Sequence, residues 1–360
     1  MSPAYSVCAL EGANGERFRF YHPARNEALR QRFVEMAQRP RRPAAPMRVL
    51  ELEDVVLEDS PTGLCLYDAR GRRIEESCVA RHAEDLTPEM WRAREQVDER
   101  PVQAEIAEPV VYHSVLFRHW GHFLLESMSR AWAQATDARL ADLPCLFSWS
   151  LAEGALGPSY REFLDEAGLS VTPPLGEPRK LALKRCFLPT ASFAMAAYAD
   201  PAHLAAPHRV ARRLLRGEAR DERPVYLSRV SLKPHSDSRP TLRNEAELEQ
   251  ALVARGVRAL RMDSLSLAEQ VEAMNAHSVF IGPWGSALHN TLLSLRGHEI
   301  STYVLIGRFM PTTFMLIDGI VGNTAHYLVT LLRAQDFDAT RQVVIDVEAT
   351  LAYLRANGVI

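Results

Sequence analysis

Hydrophobic and polar positions follow the most regular pattern in the second half of the chain, where short apolar runs are separated by segments with helical spacing. The runs 224–228, 257–262, 278–281 and 300–306 predict buried strands. Three helices are predicted between them. The first starts at Asn244 with Glu247 three residues on, brings Leu248, Ala251 and Leu252 to one face, and is stopped by Gly256. The second is capped by Ser266 with Glu269 and runs to His277, and the third covers about 287–296 and stops at Gly297. Strands and helices alternating in this way predict a parallel sheet covered on both faces, an architecture suited to nucleotides.

The first half is less regular. Residues 48–79 read as short strands and turns, with 68–71 as one turn, which predicts a small β-rich part over about 44–105. From Glu108 onward the pattern alternates: an apolar run at 109–112, a helical pattern over 119–134, strands at 143–149 and 184–189, and a helix at 159–167 stopped by Gly168. A stretch rich in Ala, Pro and charge, punctuated by Pro201, Pro207 and Pro224, marks the domain junction. The expected division is an N-terminal domain over 1–205, a C-terminal nucleotide-binding Rossmann-like domain over 206–345, and a terminal helix over 346–360. No internal repeat is visible.

Composition narrows the function. A chain of 360 residues that is 47% hydrophobic can fill two cores. Lys and Arg total 42 against 45 Asp and Glu, and the net charge of -3 excludes nucleic acid as a partner drawn by a global field; an anion would be met by a local basic cluster. The cysteines Cys8, Cys65, Cys78, Cys145 and Cys186 are odd in number and form no C-x-x-C pair, so they read as reduced thiols. Residues 1–21 carry no basic segment followed by an apolar run, and no stretch reaches the ~20 apolar residues that span a bilayer, so a cytoplasmic chain is expected. The basic stretch 208–220 reads as a solvated interdomain helix, with peripheral attachment to the inner face of a membrane as the alternative. Assembly as a homodimer is compatible with this composition.

In an open parallel sheet ligands bind beyond the carboxyl ends of the strands, which singles out two loops. One follows 226–228 and contains Arg229, Lys233 and Arg239, two planar forks and a mobile cation suited to phosphate. The other runs Gly282-Pro-Trp-Gly-Ser-Ala-Leu-His-Asn290 and opens a helix, where free N–H groups favour an anion. Together they describe a pyrophosphate site with Gly285, the Ser286 hydroxyl, His289 and Asn290 in one loop and cations in the other. Gly282 and Gly285 serve either the turn or close approach of a ligand; Trp284 either packs between domains or offers a stacking surface; Asn244 is either an N-cap or a ligand. No G-x-G-x-x-G occurs, which argues against a dinucleotide-binding dehydrogenase; a sugar-nucleotide epimerase or other cofactor enzyme is a further reading, told apart by co-purifying nicotinamide absorbance.

In the first half, His113, His119 and His122 lie before and within one helical pattern. His119, His122, Glu126, Ser129 and Arg130 share a polar stripe expected to face solvent or a cleft. One turn separates His122 from Glu126, so the carboxylate can accept one ring N–H and leave the other nitrogen as a base. The rival readings are a solvated helix face and a metal site; H-E-x-x-H and paired cysteines are both absent, and no metal is expected. Asp336-Phe-Asp338 reads as a solvated turn.

Three blocks in order, His119-Trp-Gly-His-Phe-Leu-Leu-Glu126, Leu227-Ser-Arg229 through Arg239 to Asn244-Glu245, and Gly282 to Asn290, resemble glycosyltransferase family 61 over about 108–296. The resemblance implies an α/β GT-B fold of two Rossmann-like domains facing a cleft. It implies an inverting transfer from a nucleotide-sugar, bound by the C-terminal domain, to a surface polysaccharide or glycolipid acceptor on the N-terminal side. In that chemistry His122 would be the base and Glu126 its orienter, with His119 on the acceptor side; Arg229, Lys233, Arg239 and the amides near Gly285 and Ser286 would stabilise the departing diphosphate, without a metal. Trp284 and Ser286 depart from the family pattern. The alternative is an inactive relative that binds a nucleotide as an assembly or regulatory module.

Overall fold

The computed structural model describes residues 5–360 except 25, 40, 61–62, 80–93, 149–155, 173–178, 218–219, 231–240, 308–311 and 334–341. The chain forms two compact units: a contiguous one, 41–214, and a split one made of 1–40 with 215–360.

The split unit is built on a seven-stranded sheet. Its order is Tyr5–Glu11, Arg17–Pro23, Thr324–Val329, Ser301–Ile306, Val279–Pro283, Val225–Leu227, Arg258–Leu260, and every pairing is parallel except the first hairpin. Numbered by chain order from Val225, the parallel core runs 2-1-3-4-5, the order that reverses direction between its first and third strands. Side chains alternate across the pleat, so one face presents Tyr226, Ile281, Tyr303, Leu305 and Leu328 to Leu248 and Leu252 of helix Glu245–Val253 and to Leu351 and Leu354 of helix Val347–Ala356. Elsewhere on the sheet, Phe20 stacks between Tyr327 and Phe33 of helix Glu27–Gln38, at ring distances of 5.2 and 4.1 Å.

Local signals predict several of these elements. Ser266 and Glu269 form a complete capping box on helix Leu267–Ala276. Gly256, with φ of 87°, lets the chain leave helix Glu245–Val253. Two expectations are corrected. Residues 1–40 were expected in the N-terminal domain, but the strand Arg17–Pro23 pairs with Thr324–Val329 and joins the opposite unit. The helix expected over 287–296 is a single turn, Ser286–His289, followed by the 3-10 segment Asn290–Leu293. It ends because Asn275 takes the backbone of the next residues, donating to Leu293 O at 3.1 Å and accepting from Leu295 N at 2.8 Å.

The contiguous unit is a mixed sheet in the order Gly63–Tyr67, Val49–Ser60, Arg179–Pro189, Val110–Val115, Cys145–Ser148, with Ala104–Ile106 also beside Arg179–Pro189. The strand Val49–Ser60 runs antiparallel to both neighbours, so this unit departs from the doubly wound sheet expected of it. The protein is thus of mixed α/β class. Gly168 adopts φ of 73° and closes helix Pro158–Ala167, as its position predicts. Helix Ala205–Leu214 belongs here and is no solvated linker. It buries Ala206, Pro207, Val210 and Ala211, while Arg209 and Arg213 donate to the carbonyls of Ala167, Ala135 and Glu166. No helix among the described residues is long and apolar enough to cross a membrane.

The helical pattern over 119–134 breaks into helix Trp120–Leu125, the 3-10 turn Ser127–Arg130 and helix Trp132–Thr136. Its polar stripe was expected to face solvent or a cleft. Instead Glu126, Ser129 and Arg130 are buried. The Ser129 carbonyl accepts from both the amide and the hydroxyl of Ser192, at 2.7 Å each, and is drawn out of the helical ladder. Arg130 is 1% exposed and donates to the carbonyls of Pro189, Glu76 and Cys78 at 3.0, 2.6 and 3.0 Å. Arg130→Met strands these buried acceptors and should destabilise the protein by roughly 3 kcal/mol or more, read as a lower denaturant midpoint.

Three buried imidazoles make a second prediction. Burial lowers the pKa of His113, His203 and His326 to about 4 in each case. Each is hydrogen-bonded to a neighbouring side chain, Gln134, Ser192 and Tyr353 respectively. Unfolding returns them to ~6.5, so the unfolded chain binds more protons between these values. Stability should be full above about pH 6.5 and fall as pH drops towards about 4, which urea titrations at a series of pH values would show; a flat profile over that window would contradict it.

Candidate functional site

The residues expected to carry chemistry fall into two groups, one in each unit. In the contiguous unit the strand Val110–Val115 ends in a bulge at Tyr112 and Ser114, where Ser114 holds φ of 75°. This turns the chain into the loop that leads to helix Trp120–Leu125. Ser127 accepts from the Phe117 amide at 2.9 Å and the Tyr160 hydroxyl donates to Arg118 O, which fixes the loop. Trp120 and Phe123 are clamped against Tyr160 and Phe163 by edge-on ring contacts.

The result is a fixed imidazole. His122 Nδ1 bonds to Glu126 Oε2, and the carboxylate side chain is 3% exposed while the ring is 35% exposed. Phe117 and His119 lie against the same ring at 5.5 and 5.0 Å, the latter edge-on. A buried carboxylate on Nδ1 selects the tautomer with its proton there and leaves Nε2 as an acceptor. An accessible nitrogen with its partner locked is a general-base arrangement.

In the split unit Arg229, at the start of the first predicted loop, meets the second loop at the reversal point of the sheet. Arg229 follows the strand Val225–Leu227, and its Nη1 donates to Trp284 O at 3.2 Å, in the turn after the strand Val279–Pro283. Trp284 N in turn donates to Leu305 O at 3.1 Å, and the indole is partly buried against the core. Gly282 has a packing reason: a Cβ there would lie 3.3 Å from Leu227 Cβ and 3.4 Å from Leu227 O. Gly285 has none of this kind. Its φ of 163° is extended, and a Cβ would meet Arg229 Nη1 at 3.8 Å and Pro283 O at 3.9 Å, so a side chain would simply occupy space beside the guanidinium.

Other expected members are committed elsewhere. Asn244 stands at the N-cap position without capping; its amide brackets Ile345, donating to the carbonyl at 3.0 Å and accepting from the N–H at 2.8 Å. The buried Asn290 donates to Gln270 at 2.9 Å, and the buried His289 packs 5.1 Å from Phe314. Ser286 opens a helix of only four residues, too short to supply the dipole expected there. Lys233, Arg239, Asp336 and Asp338 lie outside the described residues.

Glu245 stands in one of the blocks that resemble the family, but the sequence assigns it no role. It is 5% exposed, and one oxygen accepts from both the Arg229 amide at 2.7 Å and the Tyr226 hydroxyl at 3.1 Å. Burial pushes its pKa above the ordinary carboxylate value, and these hydrogen bonds pull it part of the way back. A glutamate in the first helical turn, three residues before a buried leucine, was the available signal. Among the described residues no group of three or more His, Cys, Asp or Glu is arranged to hold a metal ion.

No curated protein matches the chain. The glycosyltransferase 61 family model matches residues 120–300, half of the 360-residue chain. The matched span includes the His122 and Glu126 pair, Arg229 with Glu245, and the whole turn from Gly282 to Asn290, and the chain belongs to the glycosyltransferase 61 family.

Proposed function

We propose that the protein is an inverting glycosyltransferase of GT-B type that binds a nucleotide-sugar in the split unit and activates an acceptor hydroxyl with His122. Membership of the family supports sugar transfer in general. The observation that carries the donor assignment is the contact between Arg229 and the Trp284 carbonyl at the strand-order reversal of a 2-1-3-4-5 sheet, where open α/β sheets take their ligands. A guanidinium held beside a glycine at such a point can approach phosphate oxygens in bidentate fashion. The indole of Trp284 offers a face for a base or sugar.

Transfer then needs two groups. His122 Nε2 takes the hydroxyl proton as the acceptor oxygen forms its bond to the anomeric carbon, from the face opposite the leaving group. The bond from that carbon to the phosphate oxygen breaks, and the electron pair leaves with the nucleoside diphosphate, whose charge Arg229 offsets. Glu126 stabilises the imidazolium that results, as a buried carboxylate on the distal nitrogen does in other His-dependent enzymes. The acceptor class, a surface polysaccharide or glycolipid reached from the cytoplasmic side, rests on the family resemblance.

His122→Ala should lower the transfer rate by ~10²–10⁴-fold while leaving nucleotide affinity unchanged. A His122→Ala enzyme with full activity would remove His122 as the base, and a protein that binds nucleotide but uses no donor in a broad panel is a binding module. Arg229→Ala should weaken nucleoside diphosphate binding by ~1.5–3 kcal/mol in calorimetry, the range for charged hydrogen bonds. Gly285→Ala should leave the melting temperature in place and weaken the same binding.

A further inference from the structure

We infer that Glu245 is a positioning residue for the donor site, which acts through Arg229 and touches no substrate itself; this rests on the reading of Arg229 as a phosphate ligand. The turn after the strand Val225–Leu227 is held by two carboxylates one helical turn apart on helix Glu245–Val253. Glu245 accepts the Arg229 amide at 2.7 Å, with the Tyr226 hydroxyl on the same oxygen. Glu249 accepts from the Ser228 hydroxyl, whose oxygen in turn receives the Val230 amide at 3.2 Å. Residues 228, 229 and 230 are therefore each tied, directly or through one hydroxyl, to a carboxylate of one helix.

This arrangement is costly for a turn that only needs to connect a strand to a loop. Two like charges sit at i and i+4, where they repel, and Glu245 is nearly fully buried. What the pair secures is the direction of one side chain. With its amide pinned, Arg229 leaves the sheet at a set angle and reaches Trp284 O, so that its remaining N–H groups are held in place before any anion arrives. Binding then loses little side-chain entropy, the general advantage of a preorganised ligand group.

The test is a double-mutant cycle read by calorimetry with UDP, GDP, CDP and ADP on the full chain, following whichever binds the unmodified protein. Glu245→Ala should weaken binding about tenfold or more, as when a partner that orients a binding side chain is removed. The Glu245→Ala, Arg229→Ala double variant should bind no more weakly than Arg229→Ala alone, because both act through one guanidinium. Glu245→Gln keeps an acceptor oxygen in place and should retain affinity, whereas Glu245→Asp withdraws it by one methylene and should lose affinity like alanine; the aspartate variant also serves if the alanine variant does not fold. Losses that multiply in the double variant, an unaffected Glu245→Ala, or a glutamine variant as weak as alanine would each overturn the inference while leaving the donor site standing. An Arg229→Ala protein with unchanged affinity would instead overturn the donor site itself.

Discussion

Parallel strands can be joined only by crossovers, and each crossover must choose a side. From Val225–Leu227 the chain moves outward to Arg258–Leu260, and from Val279–Pro283 it moves the other way to Ser301–Ile306. Helices leaving two adjacent strands in opposite directions cannot both cover the carboxyl ends they leave behind. That constraint places Arg229 and the turn from Gly282 to Ser286 next to one another although 53 residues separate Arg229 from Gly282. Gly282 permits the two strands to close against each other, and the Trp284 carbonyl receives the guanidinium that results. The meeting of Arg229 with the glycine turn is therefore a property of strand order first and of side chains second.

The contiguous unit uses a different device. A helical run that would have been regular is broken by side chains and carbonyls that bond outward: Ser127 to the Phe117 amide, Ser129 O to Ser192, and Arg130 to three carbonyls of residues 52 to 59 positions away in the sequence. Breaking the helix after Leu125 lets Glu126 turn inward while His122 stays at the surface. A straight helix would carry both side chains on one exposed stripe, where water competes for the carboxylate.

What the sequence made legible was local. The capping box at Ser266 and Glu269, the stop at Gly168 and four of the five strands of the parallel core are set by neighbours a few residues apart, and they stand where periodicity and capping place them, whereas the strand Thr324–Val329 was not foreseen. What escaped was set at long range. The stripe through Arg130 has the right spacing for a solvated face, and only partners such as Pro189 turn it inward. Asn244 has the right residue type for a cap and is claimed instead by Ile345, 101 residues away. In the candidate site the charged residues were visible as types, but the place of Glu245 behind Arg229 was not, because it is set by burial and by the hydrogen bonds it receives.

The pairing of Arg17–Pro23 with Thr324–Val329 also has a consequence for how the chain matures on the ribosome. The contiguous unit, 41–214, has all its strands once its own segment has emerged, and it can fold as an insert. The opening hairpin has no such opportunity: its parallel neighbour is synthesised about 300 residues later, at a rate of roughly 5–20 residues per second. For that interval its Phe18 and Phe20 lack the ring of Tyr327 that later covers them, and an apolar strand edge stands unpaired. The seven-stranded sheet is thus among the last parts of the molecule to close, and its formation is a step exposed to chaperone capture or misassociation during synthesis.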